Sequence, residues 1–445
     1  MPARGRLVLT LSLVLAACEE GEPPPIAEAS APPDDLRTFL CPVTQAAPDE
    51  TVVLVRDRGF DLDNAVFQGR IGGCYRVVCS AQPGAAASTF EQAKKIVLGE
   101  AQRKDDSCRL EPGVTLRRSG YLASYKDRRD SWNEAIRADQ LPAGASKLGK
   151  LLDGDETRGY HGTGVAGLLA EENPKVRLVL ISDESIASSS DEAECPPASA
   201  VQRQVDLYED PEVRAALVTS PTSVLLDGLL QVLRTHGVTV SNESFGSLPR
   251  ATIEWACPGP WRRFFELSAE LYRERTEHLE SQKTFEGLSI LTLRAAGNEG
   301  LDLAGPEDSL ECGGGSLPDR WGSGSRTLMV GALETVSWGV AGFSNRGACV
   351  DLYAPGAKII SWGPLDFLNV QSGTSFASPL AARVASRLPP DAAARAAALL
   401  ASLDEDRRLP REEFPSSLLF QEAAASPRKL ALRVSLPALR RRALR

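Results

Sequence analysis

Positive charge is the first thing this chain is short of. Against 59 Asp and Glu stand 50 Lys and Arg, a formal net charge of −9. The strongly basic run, Arg440-Arg441-Arg442, sits at the extreme C-terminus and reads as a solvated tail. Phosphate recognition leans on clustered Lys and Arg, so nucleic acid is not expected as a partner. Cys-x-x-Cys pairs with His partners are also missing. Cys74 and Cys79 are the closest pair and have poor spacing for zinc. No acidic cluster matches a calcium-loop pattern, so neither a metal nor another cofactor is called for. Internal repeats are absent. Histidine is scarce: His161, His236 and His278 are all there are. What is plentiful is apolar material, 42% of residues, enough for a sizeable core and against wholesale disorder.

The N-terminus is apolar but too short to span. Arg4 and Arg6 precede residues 7–17, a run shorter than a permanent membrane helix needs. It ends Leu15-Ala16-Ala17-Cys18, which resembles the bacterial lipobox. The resemblance implies that residues 1–18 form a signal peptide, and that Cys18 is lipidated as the first residue of an exported protein anchored to a membrane of the cell envelope. Residues 19–35, acidic and Pro-rich, read as an extended tether. With Cys18 assigned to lipid, Cys41, Cys74, Cys79, Cys108, Cys195, Cys257, Cys312 and Cys349 remain. An even set in an exported chain indicates disulfides, with connectivity left open.

From residue 51 the pattern alternates between strand and helix. Residues 51–55 (TVVLV), 176–181 (VRLVLI), 238–240 and 288–295 are short apolar runs of strand type. Residues 223–235 are amphipathic at helical spacing, and residues 264–282 form a charged amphipathic helix. This alternation predicts an α/β fold, a mostly parallel sheet covered by helices on both faces, with functional groups at the carboxyl ends of the strands. The main domain is expected over residues 36–400, interrupted by surface excursions at about 74–158 and 182–220. Residues 401–445 are expected to be a C-terminal tail after an Ala-rich helix.

Four segments carry chemistry. Ser375 stands in Ser372-Gly373-Thr374-Ser375-Phe376-Ala377-Ser378-Pro379, where a following Ala-rich helix would turn its N-terminus to developing negative charge. His161 opens a small-residue helix, His161-Gly162-Thr163-Gly164. Asp57 ends the buried 51–55 run. A hydroxyl nucleophile needs a base to take its proton and a carboxylate to orient that base. Asn298, in Ala295-Ala296-Gly297-Asn298-Glu299-Gly300 after another strand, can aim a side-chain N–H into the same cleft as an oxyanion donor.

These segments resemble the signatures of the subtilisin-like serine peptidase family: GTSxASP at Ser375, HGTxVAG at His161 and AAGNEG at Asn298, in the chain order Asp, His, Ser. Residues 240–246 resemble the family's substrate-cradling strand, which implies Ser244, Phe245 and Gly246 as substrate-binding residues pairing with an extended peptide. Met329-Val330-Gly331-Ala332, residues 343–347 and Ala354-Pro355-Gly356 match the approach to the nucleophile. The resemblance covers about residues 48–400. It implies a subtilisin-like three-layer fold, an endopeptidase acting on proteins or peptides, and the triad Asp57, His161 and Ser375. The alternatives are a catalytically impaired scaffold and a peptidase dedicated to one substrate.

Two departures stand out. The family's Asp-Ser/Thr-Gly is Asp57-Arg58-Gly59 here, which removes a hydroxyl beside the aspartate. Asp153 and Asp155 are rivals for its role but follow no buried strand. Between Cys18 and Asp57 there is no room for the folding-assisting prosegment many relatives carry. Among the remaining candidates, His236 reads as a helix-end residue and His278 as a member of a charged helix face. Ser244 and Ser378 read as hydrogen-bonding residues and not as nucleophiles.

Overall fold

A computed structural model describes residues 35–79, 89–103, 108–118, 126–138, 160–183, 198–245, 260–304, 321–322 and 324–419. Cys18 and its tether up to residue 34, Gly246, the rivals Asp153 and Asp155, and Cys195, Cys257 and Cys312 lie outside these residues.

In chain order the strands and helices are β1 (Asp35–Phe39), β2 (Thr51–Asp57), β3 (Ile71–Cys79), α1 (Phe90–Arg103), β4 (Cys108–Pro112), β5 (Val114–Arg118), α2 (Arg129–Arg137), α3 (His161–Ala170) and β6 (Val176–Ser182). They continue with α4 (Ala198–Glu209), α5 (Pro211–Thr219), α6 (Val224–His236), β7 (Val240–Glu243), α7 (Trp261–Ser281), β8 (Leu291–Ala295), β9 (Arg326–Glu334) and β10 (Leu352–Ala357). The last are β11 (Ile359–Trp362), β12 (Leu368–Gln371), α8 (Thr374–Ala385) and α9 (Ala392–Ala401).

Eight strands form one sheet in the order β10-β9-β8-β7-β2-β6-β3-β4. Every pairing in it is parallel except β3 with β4. Strands covered on both faces need apolar residues at successive positions, which is why β2 and β6 read as continuous runs and not as alternations. Val53 and Val55 pack with Val165, Leu168, Phe376 and Leu380 under α3 and α8, whereas Val52 and Leu54 pack with Leu229, Leu233 and Leu279 of α6 and α7. The result is the expected three-layer arrangement. Local signals fix α6 at both ends. The Ser223 hydroxyl accepts from Leu226 N–H at 3.0 Å, and Gly237 takes φ +63° where a side chain would be strained.

The sheet absorbs more of the chain than the sequence pattern indicates. Residues 74–79, expected to begin an excursion, complete β3, which is paired to β6 on one side and to β4 on the other. Disulfides Cys41–Cys74 and Cys79–Cys108 pin this edge, the second across directly opposed residues of β3 and β4. Cys349 is also disulfide-bonded. Residues 198–219, expected to be a low-apolar excursion, form α4 and α5 and bury Val201, Val205, Leu207 and Val213. Their apolar residues are diluted by acidic neighbours, and the stripe emerges only once the helices pack on α7 and α1. The expected tail from 401 also enters the core as far as Leu419. Leu409, Phe414, Leu418 and Leu419 are buried, and Leu419 bridges Ile359.

Candidate active site

Asp57 is the last residue of β2, at the carboxyl end of a central strand, on the face that meets α3. Its Oδ1 accepts a hydrogen bond from His161 Nδ1 at 2.7 Å. The carboxylate is buried and the imidazole is 30% exposed. The backbone makes this meeting inevitable. Gly162 N–H donates to the Arg58 carbonyl at 2.7 Å and Thr163 N–H to the Gly59 carbonyl at 3.2 Å, so the first turn of α3 is stitched to the turn after β2. Gly162 permits that approach, since a Cβ there would stand 2.7 Å from the Phe60 ring and 2.9 Å from the Arg58 oxygen. Burial opposes charge on His161, and the Arg58 guanidinium opposes it further. The charge and hydrogen bond of Asp57 outweigh both, so the His161 pKa lies above its ordinary value. Asp57 Oδ1 also accepts from Arg58 N–H at 2.6 Å, while Oδ2 is buried with no hydrogen-bond partner among the described residues.

Ser375 stands in the first turn of α8, half-buried, beside Phe376, whose ring meets the His161 imidazole edge-on at 5.4 Å. The Ser375 hydroxyl forms no hydrogen bond to His161 in this structure. Pro379 lies four residues on and lacks the N–H that would pair with the Ser375 carbonyl in a regular helix. The Ser244 hydroxyl supplies that donor at 2.7 Å. Ser244 is held in turn by Asn242 Nδ2 at 3.0 Å, and Asn242 Oδ1 accepts from the Ser378 hydroxyl at 2.7 Å. Ser244 and Ser378 are thus committed to hydrogen bonds that fix the Ser375 turn. Phe245 lies under the Arg56 guanidinium, 5.6 Å from its ring centre.

Asn298 is exposed on the loop after β8. Its Oδ1 accepts from both the backbone N–H and the hydroxyl of Thr374, at 2.8 and 3.0 Å. That orientation turns Nδ2 outward, and Nδ2 and Ser375 Oγ each lie 3.6 Å from the point where a Gly373 Cβ would stand. Gly297, at φ +97°, leaves no room for a side chain, because a Cβ would come within 2.5 Å of Asn345 Nδ2. Asn345 anchors this loop by donating to the Ala296 carbonyl and accepting from Leu301 N–H. The orienting roles of Thr374, Asn242 and Asn345 were missed in sequence. Each lies inside a matched segment, yet only the folded distances single it out.

A hairpin, β11 with β12, walls the cleft on one side of the imidazole, where Tyr160, His161, Trp362, Gly363, Asn369 and Phe376 line a small pocket. On the opposite face of the sheet Arg56 pairs with Asp183 and Arg294 with Glu243, tying together the ends of β2, β6, β7 and β8. His236 is remote from the cleft: it closes α6, is buried, and its Nε2 shares a 2.8 Å hydrogen bond with Tyr75 Oη. His278 lies on α7. Among the described residues no group of three or more His, Cys, Asp or Glu could hold a metal ion.

A profile of the Peptidase_S8 subtilase family matches residues 49–393. Subtilisin-like protease 5 of Trichophyton tonsurans is 33% identical over 117 residues, 26% of this chain and 26% of its own length. Alkaline protease 1 of Aspergillus clavatus is 30% identical over 163 residues, 36% of this chain and 32% of its own. The chain therefore aligns with only about a quarter to a third of the length of these relatives. Solved structures with overlapping backbones include the prenylagaramide maturation protease PagA, 18% identical with a TM-score of 0.38 over 84% of this chain and 96% of that one. A cold-adapted subtilisin-like serine proteinase is 17% identical, with a TM-score of 0.35 over 85% and 92%.

Proposed function

The chain belongs to the subtilase family, and from that premise we propose that it is a serine endopeptidase in which Asp57, His161 and Ser375 form the triad and Asn298 the oxyanion donor. The observation that carries the proposal is the 2.7 Å bond between Asp57 Oδ1 and His161 Nδ1. Because Nδ1 is engaged there, Nε2 is the nitrogen left to accept the Ser375 proton as Oγ attacks the scissile carbonyl. The imidazolium then gives that proton to the leaving amine, and water, activated by the same imidazole, releases the acyl group. Negative charge on the carbonyl oxygen meets Asn298 Nδ2 and the N-terminal end of α8. Removing the Asn298 donor is worth about 3–4 kcal/mol of barrier, a magnitude established on subtilisin itself.

Substrates are exposed, extended segments of proteins or peptides, aligned against β7 and the Ser244-Phe245-Gly246 segment that follows it in sequence. Placement outside the cytosol, with lipid on Cys18 as the membrane anchor, is part of the same proposal. The lipobox-like Leu15-Ala16-Ala17-Cys18 and the disulfides support it, since disulfides persist in oxidising compartments.

A fluorophosphonate probe tests the core of this reading. Wild-type protein should be labelled and should degrade unfolded casein, and Ser375→Ala should lose both. Labelling that survives Ser375→Ala, or a labelled protein that leaves casein intact, would overturn the endopeptidase assignment.

A further inference from the structure

Arg58 follows Asp57 directly, and its backbone is held at the site. Its N–H donates to Asp57 Oδ1, its carbonyl accepts from Gly162, and the next carbonyl accepts from Thr163. The side chain therefore leaves from a fixed point between the carboxylate and the first turn of α3. Its Nε is buried without a hydrogen-bond partner, and Arg58 forms no ion pair among the described residues. The two arginines at neighbouring strand ends differ: Arg56 is paired with Asp183 and Arg294 with Glu243. A guanidinium keeps its charge at any working pH, and a buried donor left unpaired is unfavourable.

We infer that Arg58 is a specificity-determining residue that selects substrates carrying a carboxylate side chain next to the scissile bond, on the acyl side, where the chain passes the imidazole. The inference rests on the serine-peptidase reading and sharpens it to a substrate class. An aspartate or glutamate in that position would satisfy the planar guanidinium fork with two charge-assisted hydrogen bonds. It would also act on the chemistry. His161 becomes a cation when it takes the serine proton, and the Arg58 charge opposes that change. A substrate carboxylate neutralises the opposing charge at the moment it matters, so the preference should appear in kcat as well as in KM.

The test uses the purified full chain and matched peptides bearing Glu, Gln or Lys at the acyl-side positions flanking the bond. Glu should exceed Gln by about tenfold in kcat/KM, the size of one charge-assisted contact, and Lys should fall below Gln. Arg58→Met, which keeps side-chain bulk and adds no hydroxyl, should bring the Glu-to-Gln ratio near one and raise kcat on the Gln peptide. Arg58→Glu should turn the preference toward Lys. A wild-type enzyme without Glu preference, or a ratio unmoved in Arg58→Met, would overturn the inference. With Ser375 still labelled by fluorophosphonate, that outcome leaves the peptidase reading intact. A wild-type protein that neither labels nor cleaves any of the peptides overturns both.

Discussion

In the proposed triad the Asp57–His161 bond sets the protonation state on which the chemistry depends. His161 must be neutral to accept a proton, so kcat/KM should rise with pH through the imidazole pKa, which lies above its ordinary value of 6.5. Asp57→Asn removes the charge and the hydrogen bond that raise it, leaving burial and Arg58, which lower it. The acid limb of the kcat/KM profile should therefore move to lower pH while the rate falls on the order of 10⁴ through the wrong tautomer. A slowed variant whose acid limb stays in place would show that another group orients the imidazole. Linkage runs in the opposite sense. A raised folded-state pKa contributes stability that is fully present below pH 6.5 and is lost as pH climbs through the folded value.

Among the elements, α2 is the unexpected contributor. It comes from the stretch expected to be a surface excursion, yet Trp132 and Ile136 are buried with Ile360, Phe367 and Leu368 of the cleft-side hairpin. Trp132 Nε1 donates to the Leu368 carbonyl at 2.7 Å. Asn133 bonds both the Asp366 carbonyl and Leu368 N–H, each at 2.7 Å. The hairpin turn needs such clamps, because Leu365 and Asp366 hold φ of +55° and +63°, a conformation side chains disfavour. Asn133→Ala leaves a carbonyl and an N–H inside the contact unpaired and should destabilise the protein by about 2–3 kcal/mol. Glu134→Ala, on the exposed side of the same helix, should change stability by no more than about 0.5 kcal/mol. Denaturant unfolding of both variants checks this, and equal effects would show that α2 does not secure the hairpin.

Across the whole molecule, α8, which carries Ser375, is tied to α3, which opens with His161, by a buried arginine. Arg383 of α8 donates to the carbonyls of Leu168 and Glu171 at the end of α3, and burial lowers its pKa to about 10. The helices that carry Ser375 and His161 are therefore joined directly, while the disulfides lie toward the other edge of the sheet. Cys41–Cys74 and Cys79–Cys108 span 33 and 29 residues and should each contribute about 3–4 kcal/mol by restricting the unfolded chain. Joint replacement of Cys79 and Cys108 by Ala should lower the unfolding midpoint while kcat on a casein peptide at low temperature stays within a few-fold. Loss of kcat in protein that is still folded would show that this edge shapes the cleft.

The sequence by itself determined the α/β alternation and the segments that hold Asp57, His161, Asn298 and Ser375. Apolar runs such as TVVLV suit a strand buried on both faces wherever it lies, and the signature segments are contiguous and carry their own backbone requirements. Tertiary structure alone decided the rest. The Asp57–His161 bond spans a separation of 104 residues, and the sequence could only rank Asp57 above its rivals. Residues 74–79 become a core strand because β6 and β4 flank them, and α1, α4 and α5, from the two polar excursions, are held where they pack on one another and, for α4 and α5, on α7. Ser244 binds the Ser375 carbonyl because Pro379 cannot, a relation between residues far apart in the chain. Arg58 is visible in sequence as a departure from the family's Asp-Ser/Thr-Gly, but that its Nε is buried without a hydrogen-bond partner among the described residues is a property of what folds around it. Local chemistry is written in neighbours along the chain, and the satisfaction of a polar group is written in neighbours through space.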